Sequence, residues 1–219
     1  MLQFQCSAIL FDLDGVLVDS TQSIVSVWTA WARKHSLDPA RVLEIIHGRR
    51  TMEAMQLLAP SDRNQADANE IEEAIIHQQD GVVAIPGAAN LLKSLDADRW
   101  CVVTSGIGEY AKIRLGIAHL PVPRILVAAD DVAYGKPHPE PYLKAAQLLG
   151  VNPAECLVVE DALNGIQAAH AAGMKVIGVA TTYSAAELKE ADAVVETLQN
   201  VSATGGITVQ VGKRVVSHK

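Results

Sequence analysis

Aromatic residues are scarce in this chain, with two Phe, three Trp and four Tyr in 219 residues, and its 18 Lys and Arg are outnumbered by 25 Asp and Glu. The net charge of −7 forms no basic stripe. Proteins that grip nucleic acid or an anionic membrane need the opposite balance, so neither is expected as a partner. No apolar run approaches the roughly 20 residues needed to span a bilayer, and no basic start leads into a long apolar region. Cysteine is rare as well: Cys6, Cys101 and Cys156 are odd in number, lack metal-ligand spacing, and two of them open strand-like runs. They read as buried reduced thiols of a cytoplasmic protein. The seven histidines form no ligand pair at short spacing, which argues against zinc. What remains is a monomer that takes a small diffusible molecule, with 49% hydrophobic residues and ample core.

The most informative stretch is residues 8–16, AILFDLDGV. Four apolar residues in a row suit a strand buried on both faces, and the run ends in Asp12 and Asp14 with Gly15 behind them. Alternate strand residues share a face, so two acids there repel each other and call for a cation or a shared proton. An Asp-Gly hairpin would need an alternating partner strand next. Instead Asp19, Ser20 and Thr21 look like a helix cap leading into Ile24, Val27, Trp28 and Trp31 at helical spacing.

Residues 20 to about 80 carry no strand pattern, and the spacing predicts helices over 21–35, 38–46, 51–58 and 62–79. A helix opening at 85–87 follows. From Trp100 strands and helices alternate: strands over 100–104, 124–128, 156–160, 175–179 and 193–195, helices near 109–117, 139–149, 164–172 and 184–190. That grammar predicts an α/β fold, a Rossmann-like parallel sheet with helices on both faces. The expected division is a core of residues 1–18 and 85–219 and an all-helical cap of residues 19–84 inserted after the first strand. Gly205, Gly206 and the alternating residues 207–211 suggest an edge hairpin in the tail. In open parallel sheets the ligand site lies at the carboxyl ends of strands where strand order switches, which is where the first acids fall.

Three further motifs end later strands. Thr104, Ser105 and Gly106 open a helix, where backbone N–H groups and the dipole attract an anion, although a simple helix cap would use the same residues. Lys136 is held between Gly135 and the prolines of PHPEP, a stiffness that suits a fixed counter-charge better than an exposed loop lysine. The run LVV before Glu160 and Asp161 again delivers two acids to a strand end. Up to four carboxylates at one sheet edge need a divalent cation, and oxygen-only ligands favour Mg²⁺.

Together and in this order, FDLDGVLVDS, TSG, GKPHPEPY and VVEDALNG resemble the haloacid dehalogenase superfamily of phosphohydrolases along nearly the whole chain. The helical insert is similar to the small cap of the subgroup that includes β-phosphoglucomutase, and residues 47–50 (HGRR) and 179–183 (VATTY) are most similar to glycerol phosphate and hexose or hexitol phosphate phosphatases. The resemblance implies hydrolysis of a small phosphorylated sugar or polyol through an aspartyl-phosphate. Asp12 is then the nucleophile and Asp14 the acid and base. The side chains of Asp12 and Asp161 and the main-chain carbonyl of Asp14 ligate Mg²⁺, with Glu160 bound directly or through water. Thr104, Ser105, Gly106 and Lys136 hold the phosphoryl group. His47, Gly48 and Arg49 contact substrate; whether Arg49 or Arg50 faces the site is open at this point. A phosphosugar mutase, which needs a second phosphate site, and a ligand-binding protein without catalysis remain as alternatives. Phosphonate cleavage is disfavoured, because it needs a cap lysine and none lies between Lys34 and Lys93.

Overall fold

The computed structural model describes residues 2–59, 64–204 and 208–212. Strand β1 (Leu2–Gln5) precedes the fully buried β2 (Ala8–Phe11). A two-residue strand β3 (Val18–Asp19) then leads into helices α1 (Thr21–Lys34), α2 (Pro39–Ile46), α3 (Thr51–Leu58) and α4 (Asn64–His77). The chain returns through β4 (Val83–Ala84), which pairs antiparallel with β3, so both crossings of the helical insert run side by side. The rest alternates: α5 (Ala88–Lys93), β5 (Trp100–Val103), α6 (Gly108–Ile117), β6 (Leu126–Val127), α7 (Glu140–Leu149), β7 (Cys156–Glu160), α8 (Leu163–Ala171), β8 (Lys175–Val179) and β9 (Ala193–Val195).

Six of these strands form one parallel sheet in the order β6-β5-β2-β7-β8-β9. The apolar run of β2 therefore sits between β5 and β7, and its alternate residues feed different cores. Ile9 and Phe11 join one side with Trp100, Val102, Leu157 and Val159, while Ala8 and Leu10 join the other with Cys101, Val103 and Val158. Order reverses at β2, with earlier connections going one way and later ones the other. The crevice beyond its carboxyl end is thus the place where side chains from three strands converge.

The insert has a core of its own. Trp28, Trp31, Ala32, Val42, Ile46, Ala54, Met55, Ala68 and Ile71 pack together, with Trp28 and Trp31 edge to face at 5.7 Å. Asp38 caps α2 by accepting from the Ala40 N–H at 3.1 Å, and Pro39 begins the helix.

Three expectations need correction. The helix expected over 184–190 is a run of turns, because Ser184 and Glu187 close a single loop on themselves and seven residues are too few to nucleate more. The strand expected over 124–128 is reduced to Leu126–Val127. The tail hairpin exists, as β10 (Val201–Thr204) against β11 (Thr208–Val211), but it joins β1 in a separate sheet ordered β1-β11-β10. Gly205 and Gly206, the expected turn, lie outside the described residues, as do 62 and 63 of the fourth helix. Cys101 and Cys156 are buried, Cys6 only half so, and burial pushes all three thiols up. Among the described residues no helix is long and apolar enough to cross a membrane.

Candidate active site

Asp12 follows β2 directly and stays on the ladder, its N–H donating to Val159 O at 2.9 Å. Its carboxylate Oδ1 accepts from Lys136 Nζ at 2.5 Å. The same ammonium donates to Glu160 Oε1 at 2.7 Å and to Val103 O at 3.0 Å, so Lys136 is 1% exposed and all three partners lie at strand ends. Burial pushes the Lys136 ammonium down, but Asp12 and Glu160 more than offset this and hold it above the ordinary lysine value. The stiff loop does aim the lysine inward.

Glu160 is enclosed by donors. Beside Lys136, its Oε1 accepts from the Tyr142 hydroxyl at 3.0 Å, and its Oε2 accepts from the N–H groups of Asp161 and Ala162 at 2.9 and 2.8 Å. Asp12, Glu160 and Asp161 bring ligand oxygens within 4.8 Å of one another, an arrangement able to hold a metal ion. Burial pushes the Asp12 carboxyl up to about 7, with Lys136 acting against that and Glu160 reinforcing it. Burial raises Asp161 as well, followed by the charges of Glu160 and Asp12. Two glycines permit this crowding. A Cβ on Gly15, whose φ is +79°, would stand 2.1 Å from Asp161 Oδ2, and one on Gly165 would stand 1.7 Å from Glu160 Oε1.

Asp14 turns elsewhere. Its Oδ1 accepts from Ser20 Oγ and Arg114 Nη1, both at 2.5 Å, and its Oδ2 accepts from the Tyr110 hydroxyl at 2.5 Å. The repulsion inferred between the two acids is thus met by a separate cation for each, Lys136 for Asp12 and Arg114 for Asp14.

Above these residues lies a cavity of about 120 Å³. The core contributes Asp12, Asp14, Thr104, Ser105, Gly106 and Asp161; the insert contributes His47, Gly48, Arg49, Thr51 and Glu72 amid Ile24, Trp28, Ile46 and Ile75. Arg49 faces the cavity. Arg50 instead spans to the core, donating to Val132 O and Ala133 O at 3.0 and 2.9 Å and to Glu53 Oε1 at 2.8 Å. Glu53 in turn accepts from the Gly135 N–H at 3.0 Å, next to Lys136. Two more bonds hold the 47–48 turn down: Ser105 Oγ donates to Gly48 O at 3.0 Å, and Asn164 Nδ2 donates to His47 O at 3.1 Å. Burial lowers the His47 imidazole and raises Glu72, which hydrogen-bonds Thr51.

A family model described as haloacid dehalogenase-like hydrolase matches residues 6–173, which contain all four strand-end motifs. The chain belongs to this family. Among its relatives, this haloacid dehalogenase-like hydrolase is 40% identical to hexitol phosphatase A of Escherichia coli over 205 residues, covering 91% of this chain and 95% of that one. It is 35% identical to glycerol-1-phosphate phosphohydrolase 2 of Saccharomyces cerevisiae, covering 93% and 87%. The crystal structure of β-phosphoglucomutase from Clostridium difficile superposes with a TM-score of 0.77 at 26% identity, covering 88% and 92%.

Five contributors to the hydrolase's site were given no role in the sequence reading: Tyr110, Arg114, Glu72, and Tyr142 and Asn164, which lie inside the quoted motifs. A signal existed for two of them. Arg114 falls on the helical stripe of Tyr110, Ala111, Leu115 and Ala118, and Glu72 on that of Ala68 and Ile75. A charge on an apolar stripe is either paired or facing a pocket.

Proposed function

We propose that this hydrolase cleaves the phosphate ester of a small, neutral sugar or polyol through an aspartyl-phosphate on Asp12, beneath a cap formed by residues 19–84. The observation that carries the reading is Lys136, buried between Asp12 and Glu160, with Asp12 in turn in the wall of a cavity of about 120 Å³ beside Asp14 and Asp161. Asp12 attacks phosphorus as the ester P–O bond breaks, and the bonding pair leaves on the alkoxide, which takes its proton from Asp14. Asp14 then takes a proton from water as that water attacks phosphorus and releases Asp12. Thr104, Ser105, Gly106 and Lys136 are suited to hold the phosphoryl oxygens as charge spreads over them.

The donor set fits Mg²⁺: every candidate ligand is an oxygen, and the Asp161 carboxyl, held up by burial and then by the charges of Glu160 and Asp12, stands to gain from a cation. Asp12, Asp161 and the Asp14 main-chain carbonyl would hold the ion, which would neutralise charge on the phosphoryl group. We assign Glu160 a different part from the expected ligand. Its two oxygens already take four donors, so it anchors Lys136 and the 160–162 turn.

Metal binding is expected to depend on pH in a definite direction. Burial raises Asp12 from the ordinary 3.8 to about 7 in the fold, so the metal-free folded protein binds more protons than the unfolded chain between those values. Its stability therefore falls as pH rises from about 4 to about 7. Mg²⁺ needs the ionised carboxylates and displaces those protons. The melting-temperature gain from Mg²⁺, read by thermal shift, should be small near pH 5 and large near pH 8. Equal gains at both would contradict the assignment.

Arg49 in the cavity wall, with the likeness to β-phosphoglucomutase, favours a mutase as the second reading. Glu72 in the same wall weighs against a second phosphate there. Phosphorylated sugars, polyols and nucleotides should be assayed for both inorganic phosphate and isomer formation. Steady phosphate release from sugar or polyol phosphates, without isomers, is expected. Isomer formation would favour the mutase, and release from nucleotides alone would remove the proposed substrate class.

A further inference from the structure

Arg114 is the bulkiest fully buried side chain described, 2% exposed, and nothing in the reaction proposed above employs it. Its guanidinium divides between two tasks. Nη1 meets Asp14 Oδ1 at 2.5 Å, while Nη2 donates to Ser23 Oγ at 2.9 Å. Ser23 belongs to the first turn of α1, and its hydroxyl donates onward to Gln78 O at 2.6 Å, just past the end of α4. The chain Asp14–Arg114–Ser23–Gln78 thus runs from the loop after β2 to the points where the helical insert leaves the core and returns to it. One turn back on α6, Tyr110 lies under the guanidinium, its ring centroid 4.2 Å from Cζ, and donates its hydroxyl to the other Asp14 oxygen.

The guanidinium holds Asp14 and Ser23 through two nitrogens of one rigid plane, so a shift of α1 or of the 78–82 segment tilts that plane and is felt at the Asp14 carboxylate. We propose that Arg114 is a positioning residue that sets the direction of Asp14 and, through Ser23 and Gln78, makes that direction depend on how the helical insert is seated. Proton donation and acceptance by Asp14 then proceed only when the insert is down over the substrate. The inference rests on the reading of Asp14 as acid and base.

The test uses two kinds of phosphate ester. An alkyl phosphate such as glycerol phosphate needs a proton on its leaving oxygen, whereas p-nitrophenyl phosphate releases a stabilised phenolate without one. For Arg114→Gln and Arg114→Lys, kcat/KM for the alkyl ester should fall by roughly 10²-fold and roughly 10-fold respectively, with p-nitrophenyl phosphate losing far less. Ser23→Ala, a small change that keeps the Asp14 contact, should lower the alkyl-to-aryl ratio by a few fold in the native background and add nothing in Arg114→Lys. Equal losses for both esters, no loss, or additive effects of the two substitutions would overturn the proposal. Should Arg114→Gln fail to fold, the Lys and Ser23 variants still decide. Asp14→Asn separates the two levels: if it cleaves alkyl esters undiminished, the acid and base reading itself fails, and if it alone shows the ester-selective loss, only the role of Arg114 does.

Discussion

Asp12→Asn is expected to stop phosphate release, by roughly 10⁴-fold or more, while the protein stays folded. The amide keeps the shape and an acceptor for Lys136, but its oxygen is too weak a nucleophile to attack phosphorus. The fold should tolerate the change because the metal-free site holds three carboxylates around one lysine, and burial already pushes Asp12 up to about 7. Removing one negative charge there relieves repulsion as well as losing an ion pair. The variant should therefore melt within a few degrees of the native protein without metal, yet gain less from Mg²⁺. Phosphate assay and thermal shift together give the answer. A variant that still turned over, or one that was silent because it was unfolded, would remove the support for Asp12 as nucleophile.

Lys136→Met should damage both stability and catalysis. The methionine matches the lysine stem but leaves Asp12 and Glu160 buried without their shared cation, and breaking a buried pair from one side costs roughly 3–5 kcal/mol. At roughly 2–4 °C per kcal/mol for a domain of this size, the metal-free melting temperature should drop by about 10 °C. Much of that loss should return with Mg²⁺, which supplies positive charge to the same carboxylates. Turnover should remain at least about 10²-fold down even when metal is saturating, since the phosphoryl oxygens lose a fixed donor. An unchanged melting temperature would mean that the lysine carries no such burden.

The chemistry-bearing strand ends were readable because they combine two signals that physics rarely allows together, an unbroken apolar run and a pair of acids at its end. Such a run at 8–11 or 157–159 forces a central strand, and central parallel strands must deliver their carboxyl ends to one edge. Lys136 was readable from the stiffness of the chain around it. Arg114 was hidden because its partners lie 100 and 91 residues away, so only its position on an apolar stripe hinted at a buried role. Tyr142 lies only 18 residues from Glu160 and inside the GKPHPEPY motif, but no spacing signal shows that its hydroxyl meets that acid across the gap between α7 and β7. The choice between Arg49 and Arg50 could not be made from spacing, since adjacent residues after a helix end diverge according to a single backbone turn. The segment 184–190 misled for the opposite reason: Ala-Ala-Glu-Leu-Lys-Glu has good helix propensity, but Ser184 closes a loop on Glu187 and the buried Ala191 follows at once, leaving too short a run for a helix.

The bonds from Ser105 and Asn164 to the insert both land on main-chain carbonyls, those of Gly48 and His47. Main-chain acceptors survive any change of side chain, so Arg49 is free to vary without loss of either bond, whereas His47 also packs edge to face on Tyr183 of the core. The cavity wall can therefore change at Arg49 while these two bonds go on holding the insert to the core.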